Sequence, residues 1–171
     1  METTPRSEMR ILTVRQPWAW AIIHGGKDVE NRVRNVAGAY RGPIAIHVAQ
    51  SDADAAPESV WKSQADFYRR RAMPIRQPIL SIPGYFDYGN IIGVVDLVGV
   101  HESRGEGCGT RKGTTRLGEG IPQCSEWAEA WAHHLVIATP RALPQPIPFK
   151  GALGLRRLTV DTVRQIEEQL A

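Results

Sequence analysis

The chain holds only two cysteines, Cys108 and Cys124, in 171 residues. A disulfide-built scaffold carries cysteine far more densely, so that class is excluded. A Cys-x-x-Cys pair is also absent. Cys108, Cys124, His133 and His134 offer zinc-ligand chemistry, but the stretches 109–123 and 125–132 that separate them match no common finger. They read as a loop thiol and a helix-edge thiol beside two histidines, and no metal site is expected. No apolar run approaches the roughly 20 residues of a membrane-spanning helix, so no membrane partner is expected. Met1–Glu8 is polar and lacks a signal-peptide core, which makes cytoplasmic residence the expectation. No internal repeat is visible. A large charge of one sign is lacking too: the formal net charge is +3, which permits a polyanionic partner without requiring one.

What is there fits one globular unit. Hydrophobic residues make up 42% and charged residues 23%, ordinary for a soluble core-forming chain. The length suits one good core and is short for two. The expected organisation is a flexible tail over 1–8 and a single domain over 9–171. Lys62, Arg69, Arg70, Arg71 and Arg76 against Asp66 form a local basic cluster, read first as a solvated helix face.

The most informative stretch is Gly25-Gly26-Lys27-Asp28-Val29-Glu30-Asn31-Arg32. It crowds Lys27, Glu30 and Arg32 together just after a short helix. Pro17 suits the first helical position, and Trp18, Ala21 and Ile22 share one face of a helix to His24. Gly25 and Gly26 supply a left-handed stop. The N–H groups near Pro17 and Trp18 would be free to face an anion. After the turn the chain reads as a strand with Glu30, Arg32 and Arg34 on one face. Lys27 has the opposite parity, so it must sit in the turn to share a cleft with them.

Elsewhere, 9–14 reads as a strand. Residues 42–49 alternate, with Ile44, Ile46 and Val48 facing one way and Ala45, His47 and Ala49 the other. His47 therefore lines a cleft or fills a structural position. Residues 57–71 read as a helix with a Trp61–Ala65–Tyr68 stripe, 71–90 as a loop, and 91–101 as a buried strand. Asp96 is the odd carboxylate on that strand and needs a partner, Arg32 or Lys27. Paired, it is structural; poorly paired, it becomes a general-base candidate. Residues 102–123 read as a long basic loop and 125–131 as a short helix. Strands are expected over 133–139 and 151–160, and an amphipathic helix over 159–170 with Val163, Ile166 and Leu170 inward. Several short strands mixed with short helices, without a βαβ rhythm, make the class α+β.

Gly25-x-Lys27-x-x-Glu30-x-Arg32 is similar to the G-x-K-x-x-E-x-R signature of the ASCH domain family. Leu12–Ala19, Tyr40–His47, Ile92–Leu97 and the blocks Leu143–Gly151 and Leu153–Leu155 also resemble that family, which extends the likeness over residues 9 to 158. It looks closest to the activating signal cointegrator group. The resemblance implies a PUA-like β-barrel with short flanking helices and a cleft that binds RNA or a nucleotide. In such a cleft Lys27 and Arg32 would neutralise phosphate, Gln16 and Glu30 would read base edges, and Trp18 would stack, with His47 in the lining.

Some similar proteins are hydrolases. In the amidohydrolases a lysine acts with a threonine three positions later and a distant carboxylate; here Lys27 is followed by Glu30, which has no hydroxyl. A ribonuclease would use Lys27 with Glu30, Asp96 or His47, and a divalent metal would then be its only expected cofactor. The catalytic candidates are accordingly Lys27, Glu30 and Asp96. A module that recruits a protein partner is the third class.

Overall fold

The computed structural model describes residues 8–72, 86–103, 107–108 and 124–171. The chain order is β1 (Arg10–Gln16), α1 (Trp18–His24), β2 (Val29–Arg32), β3 (Gly42–Asp52), α2 (Glu58–Ala72), β4 (Asn90–Glu102), β5 (His133–Pro148), β6 (Leu155–Arg157) and α3 (Val160–Leu170). The strands form one six-stranded sheet in the order β2-β5-β4-β3-β1-β6. Among the described residues only β1 and β3 pair in parallel, and the other ladders between these strands are antiparallel. The fold is thus α+β, as expected.

The alternation read over 42–49 is realised as two cores on the two faces of the sheet. Ile44, Ile46 and Val48 of β3 pack with Leu12 and Val14 of β1, Leu135 and Ile137 of β5, and Ala19, Ile22 and Ile23 of α1. Ala45 faces the other way, into a second cluster with Ile11, Val94, Leu143 and the α3 residues Val163 and Ile166. Thr159 caps α3 by accepting a hydrogen bond from the Thr162 N–H, so this helix begins one residue after the expected start.

The expected barrel is not closed. β2 and β6 are the edges of the sheet, and no ladder joins them among the described residues. Four residues in β2 and three in β6 give little edge to pair. A side chain spans the gap instead: Arg32 of β2 donates from Nη2 to the Thr13 carbonyl of β1 at 2.9 Å.

Other expectations shift for local reasons. No helix forms over 125–131; the segment turns, because Asn31 holds it from β2. Asn31 donates to the Trp127 carbonyl at 2.8 Å and accepts from the Glu129 N–H at 3.0 Å. The strand expected over 151–160 shrinks to β6. The α2 helix buries Gln64 and Tyr68 beside Val60 and Phe67, a stripe rotated from the expected Trp61–Ala65–Tyr68. Of the expected loops, 73–85, 104–106 and 109–123 lie outside the described residues, as do residues 1–7 of the expected tail. Glu8, the last tail residue, is held by ion pairs to Arg10 and Arg157, each at 2.8 Å. Among the described residues no helix is long and apolar enough to cross a membrane.

Candidate functional site

The start of the site follows from the end of α1. Gly25 keeps a negative φ, but a Cβ there would lie 2.8 Å from Ala21 Cα, so close packing demands glycine. The left-handed residue is Gly26, with φ 77°. Lys27 follows at once, its N–H bonded to the Ala21 carbonyl at 3.0 Å. It therefore sits in the turn, before β2 begins, as the parity argument requires. One N–H of the first turn is already taken: the Gln16 side chain accepts from the Trp20 N–H at 3.0 Å.

Lys27, Glu30 and Arg32 come together in the wall of a cavity of about 910 Å³. Lys27 and Glu30 are nearly inaccessible, at 4% and 7% exposure. Lys27 Nζ donates to the Val29 carbonyl at 2.5 Å, lies 3.8 Å from Glu30 Oε2, and stands over the rings of Trp18 and Trp127 at 5.2 and 5.7 Å. Glu30 Oε1 lies 3.2 Å from Arg32 Nη2. Burial pushes the Lys27 ammonium below its ordinary range, opposed by Glu30 and other nearby carboxylates. Burial likewise pushes Glu30 upward, opposed by Arg32 and Lys27. Arg32 is the half-buried member. Its Nη2 is fixed by Thr13 and Glu30, while its Nε is buried without a hydrogen-bond partner among the described residues.

The facing wall is built on His47. Its Nε2 lies 2.9 Å from the Phe149 carbonyl, which can only accept, so this nitrogen carries the proton. Its Nδ1 then accepts from the Thr13 hydroxyl at 3.2 Å, and that hydroxyl accepts from the Ala152 N–H at 3.2 Å. Burial lowers His47 below 6.5 and favours the neutral ring that this chain of bonds requires. Gly151 passes so close that a Cβ would lie 2.6 Å from His47 Cε1.

Trp18 lines this cavity and an adjoining one of about 550 Å³, whose far side is Trp127. The two indoles meet edge to face at 6.2 Å. Arg15 and Lys150 add exposed cations to the rim, although Arg15 is paired to Asp54 at 3.2 Å.

Two of the expected site residues fall elsewhere. Gln16 is fully buried and spends its amide on the Phe86 carbonyl, at 2.6 Å, and on the Trp20 N–H. Asp96 meets neither Arg32 nor Lys27. It pairs across the β4–β5 ladder with Arg141 at 2.6 Å, half exposed and outside the cavity lining. An irregularity between Ile91 and Gly93 resets the alternation: Ile92, Val95 and Leu97 enter one core, Val94 enters the other, and Asp96 has the opposite parity to Val95 and Leu97. Conversely, Thr13, Asn31, Trp127, Glu129 and Lys150 build the site and carried no signal of their own in the sequence.

The ASCH domain matches this chain over residues 12–142, and the chain belongs to the ASCH domain family. The match spans both the Lys27–Glu30–Arg32 wall and β1 and β3, which carry Thr13 and His47. No curated protein matches the chain.

Proposed function

We propose that this ASCH domain protein binds single-stranded RNA, taking a nucleotide into the cavity walled by Lys27, Glu30 and Arg32. The observation that carries this is Arg32: its guanidinium is oriented through Nη2 by Thr13 and Glu30, and its side chain stays 29% exposed in the cavity lining. A fixed guanidinium that keeps part of its surface open to the cavity suits a phosphate oxygen. Lys150 adds a second cation on the rim. Trp18 and Trp127 offer ring surface for a base, which single-stranded recognition commonly uses. A cavity of about 910 Å³ has room for a nucleotide. In this reading Lys27 and Glu30 stay buried and brace Arg32, rather than reading bases themselves.

The finer fold description belongs to the same reading. We take the sheet as a PUA-like barrel that is bridged by a side chain instead of a ladder, on the Arg32–Thr13 bond and the core shared by β1 and β5. Kinship with the activating signal cointegrator group rests on the residue blocks around the signature. Cytoplasmic residence fits an RNA partner.

Fluorescence anisotropy with a short labelled single-stranded RNA tests the proposal. Binding should weaken at least about tenfold in Arg32→Ala. Equal affinity in a folded Arg32→Ala protein would overturn it. A hydrolase is the second reading, favoured by one observation: Lys27 and Glu30 both titrate away from their ordinary ranges beside a cavity. Turnover of the RNA or of an acylated cytidine, lost in Lys27→Ala, would establish it.

A further inference from the structure

Behind the cavity wall, four side chains from distant parts of the chain converge. His101, Cys108, Cys124 and His134 each present one ligand atom, and these atoms all lie within 4.8 Å of one another. His101 and His134 are direct cross-strand partners in the β4–β5 ladder, with ring centroids 5.1 Å apart. His134 Nδ1 lies 3.3 Å from His101 Nε2, 3.3 Å from Cys108 Sγ and 3.4 Å from Cys124 Sγ. The spacing resembles a coordination polyhedron. A tetrahedral zinc with bonds of about 2.3 Å to sulfur and about 2.1 Å to nitrogen has edges of roughly 3.3–3.8 Å.

Hydrogen bonding alone accounts for this cluster poorly. His134 Nε2 lies 2.7 Å from the Glu129 carbonyl, so it is the protonated nitrogen. Nδ1 is then left with one in-plane lone pair, while three groups crowd it at hydrogen-bond distance. One lone pair cannot accept from all three, but a cation at their centre satisfies all four at once. The Glu129 contact is the outer bond that fixes a metal-binding histidine's tautomer. The Cys124 N–H donates to Cys108 Sγ at 3.2 Å, which ties the two cysteines together. His134 is fully buried, Cys108 nearly so, and Cys124 is exposed.

We propose that His101, Cys108, Cys124 and His134 bind a structural zinc ion. Two thiolates and two imidazoles select a borderline-soft ion over magnesium or calcium, and four protein ligands leave no open position for catalysis. The ion closes the loop from Cys124 to His134. That loop carries Trp127 and Glu129, which wall the two cavities. The metal therefore fixes the wall without touching what the cavity holds. His133, the adjacent histidine, pairs with Glu102 on β4 and lies outside the cluster.

Elemental analysis of the untagged protein, purified under reducing conditions without chelator, tests this. About one zinc per chain is expected. Cys124→Ser and His134→Asn should each hold zinc at least about tenfold more weakly, and His133→Ala should match wild type. Should these variants fail to fold, the wild-type protein still decides: stripped of zinc and reloaded with cobalt, it should show the visible bands of a tetrahedral thiolate–imidazole centre. Reduced protein that neither carries zinc nor takes up zinc or cobalt overturns the proposal. So does full zinc affinity in folded Cys124→Ser, or a Cys108–Cys124 disulfide in the native protein.

Discussion

Glu30 braces Arg32. The 3.2 Å contact between Glu30 Oε1 and Arg32 Nη2 is made by a carboxylate that is 7% exposed. Its other oxygen faces the buried Lys27 at 3.8 Å. Glu30→Gln keeps the shape and removes the charge, leaving two cations near a buried amide. Removing one partner of a buried ion pair costs roughly 3–5 kcal/mol. Denaturant unfolding should register a loss of that order. A loss below about 1 kcal/mol would mean that the pair is solvated and does not hold Arg32 in place.

Asp96 makes a contrasting case. It read as the distant carboxylate of a possible active site, but its partner is Arg141, with both side chains more than a third exposed. Exposed pairs contribute about 0–1 kcal/mol. Asp96→Asn should leave RNA affinity, any turnover and stability nearly unchanged. Anisotropy and thermal melts check this together. A strong loss of binding would return Asp96 to the site.

The difference between these two carboxylates shows what was legible in the sequence. Lys27, Glu30 and Arg32 are close in sequence, so local rules sufficed: glycines end a helix, and parity puts Lys27 in the turn. The α+β class and the α3 face were legible for the same reason. Asp96 misleads because an irregularity between β4 and β5 resets the alternation, and such irregularities leave no clear mark in a single sequence. Gln16 looked like a ligand group because nothing local shows that its amide is spent on Phe86, far along the chain. The histidine–cysteine cluster was half visible. Cys108, Cys124 and His134 show their ligand chemistry in the sequence, but finger spacings describe ligands on local turns, whereas His101 joins through a sheet ladder.

Lys150 separates electrostatic affinity from fold. It is an exposed cation on the cavity rim. If it meets a phosphate, Lys150→Ala should reduce the slope of log affinity against log salt by roughly 0.7, as expected for one contact to a single strand. Stability should not change. Anisotropy titrations over a salt series give the slope, and an unaltered slope would place the RNA backbone elsewhere.

Gly151 passes over His47 at a distance that only a hydrogen atom fits, since a Cβ would lie 2.6 Å from Cε1 and 3.0 Å from Thr13 Oγ1. His47 cannot swing aside, because both of its ring nitrogens are bonded. Gly151→Ala should therefore push the 149–152 segment off the wall. A destabilisation of roughly 1–3 kcal/mol and weaker RNA binding are expected together. Wild-type values for both would show that the segment shifts freely.

The same histidine gives the site a pH dependence with a definite sign. Burial lowers folded His47 below 6.5, its value in the unfolded chain. Between those two values the unfolded chain binds the extra proton and the folded one does not, so stability falls as pH falls from 6.5 toward the folded value. Protonation also turns Nδ1 from acceptor to donor, so the Thr13 hydroxyl has to turn its own proton elsewhere and accept. In His47→Gln the titrating group is gone, while the amide can still donate and accept. Urea unfolding at pH 5 and pH 7 should show a larger acid loss in the wild-type protein than in His47→Gln. Equal losses would assign the acid sensitivity to other groups, and His47 would then be a neutral spacer in the wall.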